Sequence, residues 1–358
     1  MKRVVFTILI SGLFISCSLK TTGNKNYIDL RDSQTECETK VFPAQQGRSC
    51  PSGEFAHFTI RQITDFGERP VWSPDGKKLA FIEKEFGDAY EIDLETKEIS
   101  CLTCEFNTEG FLRIHYMKDG DYLLLGPKKH NDDVLDRWLD TGFYWMPADR
   151  IQGPRWLGER HFDGVAVSRE SRKIAYTKTY MNNFIYFPSV LYVAELTLDS
   201  EIINKRRAYH SVNVIEAQDF LPGEEALTVS RYTPTTEVLV VDLKTGRAAN
   251  YSNNPGYDEP EGIFPDGEFT VIESDRHRGD SGNMDLDIYM LRLDGTGEDV
   301  RRLTHFSDTP NQKASNPAVS PEGCRVAFMK SIDIGDKERF TGTGDGIFML
   351  EFYEYGQE

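Results

Sequence analysis

The stretch Val71–Ile82, which reads VWSPDGKKLAFI, decides the fold. Two short apolar runs flank a Pro-Asp-Gly turn, which is typical of a β-hairpin. The pattern recurs along the chain in copies that match it less closely, and successive turn positions lie 44, 51, 53, 43 and 56 residues apart. These turn positions are Asp75, Asp119, Glu170, Gly223, Asp266 and Glu322.

A repeat of this length holds about four short strands, the size of one propeller blade. Alternating apolar and polar residues at Ala89–Leu94 and Asp287–Leu293 indicate half-buried third strands, and Leu303-Thr304 ends a fourth. The segment Asp132–Leu139 is the main stretch with a helical period. We therefore predict an all-β fold, a β-propeller of four-stranded antiparallel blades, with six blades expected and seven as the alternative.

The first unit also resembles a known family. Its pattern LT…P.WSPDGK.LAF…Y.IDL.T resembles the TolB-like, WD40-like (PD40) propeller repeat of bacterial periplasmic proteins, over roughly residues 60–354. The resemblance implies that an N-terminal strand closes the ring beside the last blade, with residues 31–62 supplying that strand or fragments of a seventh blade. It most often implies a binding role without catalysis. The matching residues are Ile63-Thr64, Pro70, Trp72–Lys77, Leu79–Phe81 and Ile92–Leu94.

The N-terminus predicts export. Lys2 and Arg3 precede the apolar run Val4–Ile15, which is too short to span a bilayer and is typical of a secretory signal. The run ends at Cys17 and resembles the lipobox of bacterial lipoproteins; Ser18 after the cysteine suits outer-membrane sorting. We expect a signal peptide over residues 1–16, a lipidated Cys17 with a tether over 17–30, and one propeller domain over 31–358. An ordinary signal peptide with a chance cysteine is the alternative.

Export permits disulfides. Cys37 and Cys50 would close a short loop, and Cys101 with Cys104 favours a structural disulfide or two plain thiols over a redox or zinc site. Cys324 is interpreted as a small buried hydrophobe.

Composition excludes several classes of function. The 358 residues carry 58 Asp and Glu against 41 Lys and Arg, a net charge of −17 that repels nucleic acid. The single long apolar run excludes a polytopic membrane protein. We expect an exported, lipid-anchored monomer in the cell envelope, with its membrane contact limited to the anchor. Which side of the membrane the domain faces is left open.

Propeller ligands commonly bind around the central channel, on loops that meet at one face. Counting back five to seven residues from each turn gives one set of candidates, and the loops between the second and third strands give another. Their many basic groups suit an anionic ligand gripped by arginine; solvated loop charges are the alternative. The ligand-binding candidates are Arg69, Arg113, His115, Lys128, His130, His161, Lys178, Arg231, Glu259, Glu261, Arg276, His277 and Lys330.

Two further expectations concern this face. Glu261 is expected near Arg276 and His277, either within a ligand site or as a structural ion pair. No metal or cofactor is required; a divalent cation at the channel mouth is the alternative if His115, His130, His161 and His277 converge with Glu261.

Two functional hypotheses follow. The first is a non-catalytic propeller that binds a protein partner or an acidic glycan at its channel face. The second is a polysaccharide lyase that cleaves uronate-containing chains by β-elimination, with a histidine as base and arginine stabilising the charge. Its catalytic candidates would be His115, His161, His277, Arg113 and Arg276.

Overall fold

A computed structural model describes residues 4–10, 13–19, 57–130, 140–180, 188–232, 234–278, 285–332 and 343–353. Strands β1 (Val4–Ile10) and β2 (Leu13–Leu19) form an antiparallel hairpin that spans the predicted signal peptide and the start of the predicted tether. The predicted disulfide of Cys37 with Cys50 and the helical segment 132–139 lie outside these residues. In the described part, no helix has the length and apolar character needed to cross a bilayer.

Six four-stranded antiparallel sheets make up the rest of the described chain, each running from an inner to an outer strand. They confirm a β-propeller of six blades. Blade one is β4 (Glu68–Trp72), β5 (Lys78–Ile82), β6 (Ala89–Asp93) and β7 (Ile99–Cys101), and blade two is β8 (Arg113–Tyr116), β9 (Tyr122–Pro127), β10 (Thr141–Met146) and β11 (Arg155–Arg160). Blade three is β12 (Phe162–Val167), β13 (Lys173–Thr179), β14 (Ser189–Leu196) and β15 (Ile202–Ser211), and blade four is β16 (Ile215–Phe220), β17 (Ala226–Arg231), β18 (Glu237–Asp242) and β19 (Arg247–Asn250). Blade five is β20 (Asp258–Ile263), β21 (Phe269–Ser274), β22 (Asp287–Arg292) and β23 (Val300–Arg302), and blade six is β24 (Gln312–Val319), β25 (Arg325–Ile332), β26 (Thr343–Tyr353) and β3 (His57–Gln62). Short 3-10 helices cover Arg276–Arg278 and Phe306–Asp308.

The N-terminal strand β3 closes the ring. It is the outer strand of blade six and pairs with β26, with Ile60 opposite Leu350. Phe58 and Ile60 pack against the apolar cluster shared by blades five and six. Residues 57–62 therefore complete the sixth blade, which confirms the ring closure that the resemblance implied. They do not begin a seventh blade.

The first and last blades are also joined through residues of the Val71–Ile82 hairpin. The Trp72 indole N–H donates to the Ala318 carbonyl at 2.9 Å, and the Arg325 guanidinium lies 4.4 Å from the Trp72 ring. Arg325 also donates to the Gly76 carbonyl at 2.9 Å. Gly76 has a φ of 69°, a left-handed conformation that favours glycine.

The apolar core lies between blades rather than within one. Blades five and six share a cluster that includes Phe269, Ile288, Phe328 and Leu350, all almost fully buried. A single four-stranded blade cannot bury both faces alone, so each blade depends on its neighbours.

The described cysteines confirm one prediction and correct another. Cys101 and Cys104 form a disulfide. Cys324, interpreted above as a buried hydrophobe, is instead half-buried and disulfide-bonded. A single cysteine in a strand pattern does not show whether it is disulfide-bonded.

Ring closure by β3 gives the first prediction. We expect Ile60→Asp to lower the free energy of unfolding by about 2 kcal/mol or more, because the carboxylate enters an apolar interface without a partner. Thr59→Lys, on the exposed side of the same strand and opposite Glu351, is the charged control and should change it by less than about 0.5 kcal/mol. Urea unfolding of both variants measures the difference. Equal effects would mean that β3 does not close the ring.

Candidate functional site

The inner strands deliver polar side chains to the axis through β-bulges. Five of the six have a register shift against the second strand. Arg69, Asp163 and Asn316 have φ values of 53°, 38° and 49° there. Bulges re-aim side chains in this way. We call six residues at this level the channel ring, one from each blade: Arg69, Arg113, Asp163, Gln218, Glu261 and Asn316.

Arg113 is the centre of the channel ring. Its guanidinium lies 3.8 Å from Asp163, 3.4 Å from Glu216 and 3.6 Å from Glu261, so it joins blade two to blades three, four and five. Blade five is opposite blade two, and the Arg113–Glu261 pair therefore crosses the channel. Burial disfavours the charge, but Glu261, Glu216 and Asp163 outweigh it and raise the pKa of Arg113.

Carboxylates outnumber cations at this level. Six buried acids, namely Glu68, Asp163, Glu216, Glu259, Glu261 and Glu273, accompany the guanidinium groups of Arg69 and Arg113. Burial raises the pKa of Glu216 and of Glu261 well above the ordinary value. Burial and then the charge of Glu259 raise the pKa of Glu273 to about 7. Some of these carboxyl groups therefore hold protons near neutral pH.

Neutral donors satisfy these acids unequally. Glu259 accepts hydrogen bonds from the Tyr232 and Tyr257 hydroxyls, from Gln218 Nε2 at 3.0 Å and from Ser230 Oγ at 3.2 Å. The two tyrosines did not stand out in the sequence, because their loops carry no motif.

Glu261 has weaker partners than Glu259. The Asn316 amide donates to it at 3.3 Å, and Arg113 stands 3.6 Å away. Glu261 is thus the less completely paired carboxylate of the two.

Two predicted histidines belong to the same region. His161 is buried against Phe143, with ring centroids 4.4 Å apart, and burial lowers its pKa to about 4. Burial, Arg113 and His161 lower the pKa of His115 to about 3. Both imidazoles are neutral at neutral pH and are weak bases.

A cavity of about 360 Å³ lies between the channel ring and the turns that join the first two strands of each blade. Its floor includes Arg113 and Glu261, and its walls are largely apolar, with Trp72 and Phe220 among them. The exposed side chains at its rim, such as Pro222, show that it opens on the turn face. Its lining falls within 69–74, 113–118, 164–170, 218–224, 261–265 and 316–321.

This position corrects an expectation. The sequence gave two sets of candidates. Arg69, Arg113, His115 and Glu261, from the set counted back from the turns, line the cavity, whereas none of the described residues from the loops between second and third strands does. The turns were interpreted as hairpin connections alone, although six of them meet around one opening.

Arg169 crosses the cavity mouth. Its guanidinium lies 3.4 Å from Asp219 in blade four and donates to the Val319 carbonyl in blade six at 3.2 Å. Its side chain is 43% exposed, so one face of this bridge is in contact with solvent.

The other predicted basic residues lie outside the cavity lining. Lys178 pairs with Glu159, Arg231 with Glu237, and Lys330 with Asp345, at 2.7, 3.8 and 2.9 Å. Lys128 is exposed and His130 stacks on Phe86. Acids predominate beside Arg113 on the inner strands, whereas the charges that line the cavity are mixed, as expected; the sequence does not show which charges are already paired. The charged lining residues are Arg69, Arg113, Lys118, Arg169, Glu170, Asp219, Glu224 and Glu261.

Arg276 and His277 do not reach Glu261, contrary to the expectation. Arg276 pairs with Asp258 at 2.6 Å and donates to the Ser252 carbonyl at 2.7 Å. The imidazole of His277 bonds Tyr289 at 3.0 Å and Ser307 at 2.8 Å. The 3-10 helix Arg276–Arg278 directs the chain away from the inner strand, and this pair holds blade five to its neighbours.

The four histidines weighed as metal ligands do not converge. His115 and His161 are near the channel ring, whereas His130 and His277 pack elsewhere. Among the described residues, the one group with metal-ligand proximity is Asp88 with Cys101 and Cys104, whose sulfurs are in a disulfide.

Comparison with known proteins agrees on the fold. No protein-family model and no curated protein matches the chain. TolB from Acinetobacter baumannii is similar in structure, with a TM-score of 0.50, 13% identity, and coverage of 84% of this chain and 65% of the TolB chain. The chain thus spans less than two thirds of that TolB.

Two enzymes are also among the similar structures. An oligogalacturonate lyase of Vibrio parahaemolyticus has a TM-score of 0.45 at 11% identity and covers 82% of this chain and 93% of its own. A puromycin-hydrolyzing peptidase of Mycobacterium tuberculosis has a TM-score of 0.46 at 13% identity, over 73% of this chain and 40% of its own. Likeness at this identity shows the propeller fold and no activity.

The buried position of Arg113 gives a stability prediction. Arg113→Met should lower the free energy of unfolding by about 3–5 kcal/mol, since three buried carboxylates lose their common cation. Arg160→Met removes a 60% exposed arginine paired with Asp140 in the same blade and should cost less than about 1 kcal/mol. Comparable losses in chemical denaturation would contradict a central role for Arg113.

Glu273 gives a prediction on pH. Its folded pKa of about 7 exceeds the ordinary 4.5, so the native state binds the extra proton and loses stability as pH rises through that window. Glu273→Gln removes this loss, and its stability relative to the parent chain should increase between about pH 4.5 and about pH 7. Glu268→Gln, at a 52% exposed site on the same blade, is the control. Thermal unfolding across this range measures both; a pH-independent difference for Glu273→Gln would refute the shift.

Proposed function

We propose that the protein is an exported, lipid-anchored β-propeller that binds a protein partner through the turn-face mouth of its channel, without catalysis. The observation that carries the proposal is the cavity on the axis, which opens on the turn face and is closed below by the channel ring. Concave sites with apolar walls and a few converging polar groups are the usual binding sites of proteins.

The geometry favours binding over the lyase alternative. A general base works best with a pKa near the working pH, and the values of about 3 and about 4 for His115 and His161 are far below it. Arg113 is already surrounded by three carboxylates and is not available to neutralise a uronate. Arg276 and His277 lie outside the cavity lining.

The charge of the channel also favours a protein over an acidic glycan. A uronate chain that reached the floor would meet Glu261, with Glu216 and Glu259 behind it. Burial and then the mutual repulsion of these acids already raise the pKa of Glu261, and a further carboxylate in this region of low dielectric would add to that repulsion. The exposed proline rim offers an apolar contact that suits a polypeptide.

Export and anchoring are supported by the N-terminal sequence. The basic start, the apolar run to Ile15 and Cys17 match a lipoprotein signal, and the disulfide between Cys101 and Cys104 suits an oxidising compartment. We place the domain in the cell envelope, held by lipid on Cys17, with the propeller free to meet a partner.

Site-specific photo-crosslinking in cells that produce the full chain tests this function. A photo-reactive amino acid at Pro222 or Pro265, at the cavity mouth, should give a discrete crosslinked species containing the chain. The same amino acid at Glu95, exposed in an outer turn of blade one, is the matched control and should not.

Two results would contradict the proposal. One is crosslinking of equal yield at Glu95 and at the mouth, which would show no preference for the channel. The other is eliminative cleavage of a uronate-containing glycan by the purified chain that is lost in His115→Ala.

A further inference from the structure

The floor of the cavity combines a carboxylate with unused hydrogen-bonding capacity. Glu261 reaches the floor with two long contacts, to Arg113 and Asn316. Nε2 of the His115 imidazole is buried and has no hydrogen-bond partner among the described residues. Buried polar atoms in proteins are normally paired, so this atom marks a place where a polar ligand would be accommodated.

The charges around this floor favour a cation. Glu216, Glu259 and Glu273 lie close enough to Glu261 to act on its ionisation, and they outnumber the single guanidinium that faces it. Charge-assisted hydrogen bonds are about 2.7–2.9 Å long. Arg113 stands 3.6 Å from Glu261, so this pair is longer than such a hydrogen bond.

The walls above the floor carry apolar side chains, and Arg169, which is paired with Asp219, crosses the mouth. Trp72, Ile114, Val165, Phe220 and Ile263 come from five different blades and line the path to the turn face. Apolar walls around a charged floor suit a group with an aliphatic stem and a charged tip, as lysine and arginine side chains have.

We propose that the cavity receives one lysine or arginine side chain of an extended polypeptide, with its cationic group bound by Glu261. This deepens the proposed function and rests on it. The exposed prolines at the mouth, Pro74, Pro222 and Pro265, offer apolar contacts to the residues that flank this side chain, which favours a polypeptide over a free amine. His115, neutral at the floor, offers a further hydrogen-bonding atom to the incoming group.

Fluorescence anisotropy with labelled pentapeptides tests this assignment on the full chain. The probes are Ala-Ala-X-Ala-Ala, with lysine, arginine, Nε-acetyl-lysine or glutamate at X. The lysine and arginine peptides should bind saturably and at least about tenfold more tightly than the other two, since the latter lack the positive charge. This comparison needs no variant and is unaffected by any folding defect.

Glu261→Gln tests the named carboxylate. It preserves size and hydrogen bonding and should weaken binding of the lysine peptide at least about tenfold. Asp266→Asn makes the same charge change in the exposed turn of the same blade and should leave binding within about twofold. Equal effects of the two variants, or equal affinity for the lysine and glutamate peptides, would overturn the proposal.

Cadaverine separates the two sources of an alkylammonium group. Tighter binding of cadaverine than of the lysine peptide would overturn the assignment to a polypeptide.

Failure of this inference differs from failure of the proposed function. Crosslinking at Pro222 with no preference for lysine would refute the inference alone. Glu261-dependent lysine binding without crosslinking at Pro222 would refute the protein-partner function instead.

Discussion

The constraint on which the structure depends is the meeting of six inner strands around one axis. Arg113 lies where carboxylates from three other blades meet, and its pair with Glu261 crosses the channel. Those acids are costly to bury unless a cation is beside them. The interaction of Arg113 with these acids therefore joins four of the six blades, crosses the channel and sets the charge at the floor of the cavity. Stability and binding depend on one guanidinium.

The repeat made much of this arrangement predictable. The Pro-Asp-Gly turns fix where each inner strand ends, and counting back from them reaches Arg69, Arg113 and Glu261 because all six strands have similar lengths. The closing role of β3 followed from the family pattern. These features depend on spacing along the chain, which a sequence displays directly.

What could not be predicted depends on contacts between distant residues. Arg276 follows an inner-strand hairpin and still turns away from Glu261, because its 3-10 helix brings it to Asp258 and Ser252. The loop cations gave the impression of a basic mouth, but partners such as Glu159 neutralise them. The net charge of −17 likewise gave no sign that acids would collect on the axis.

The channel holds more carboxyl groups than its two arginines can neutralise. Carbon-13 NMR of glutamate side-chain carboxyls, titrated with pH and assigned with Glu261→Gln, measures this excess. We expect the resonance of Glu261 to titrate well above the ordinary pKa of 4.5. Titration of Glu261 at or below that value would show instead that Arg113 fully compensates the acids.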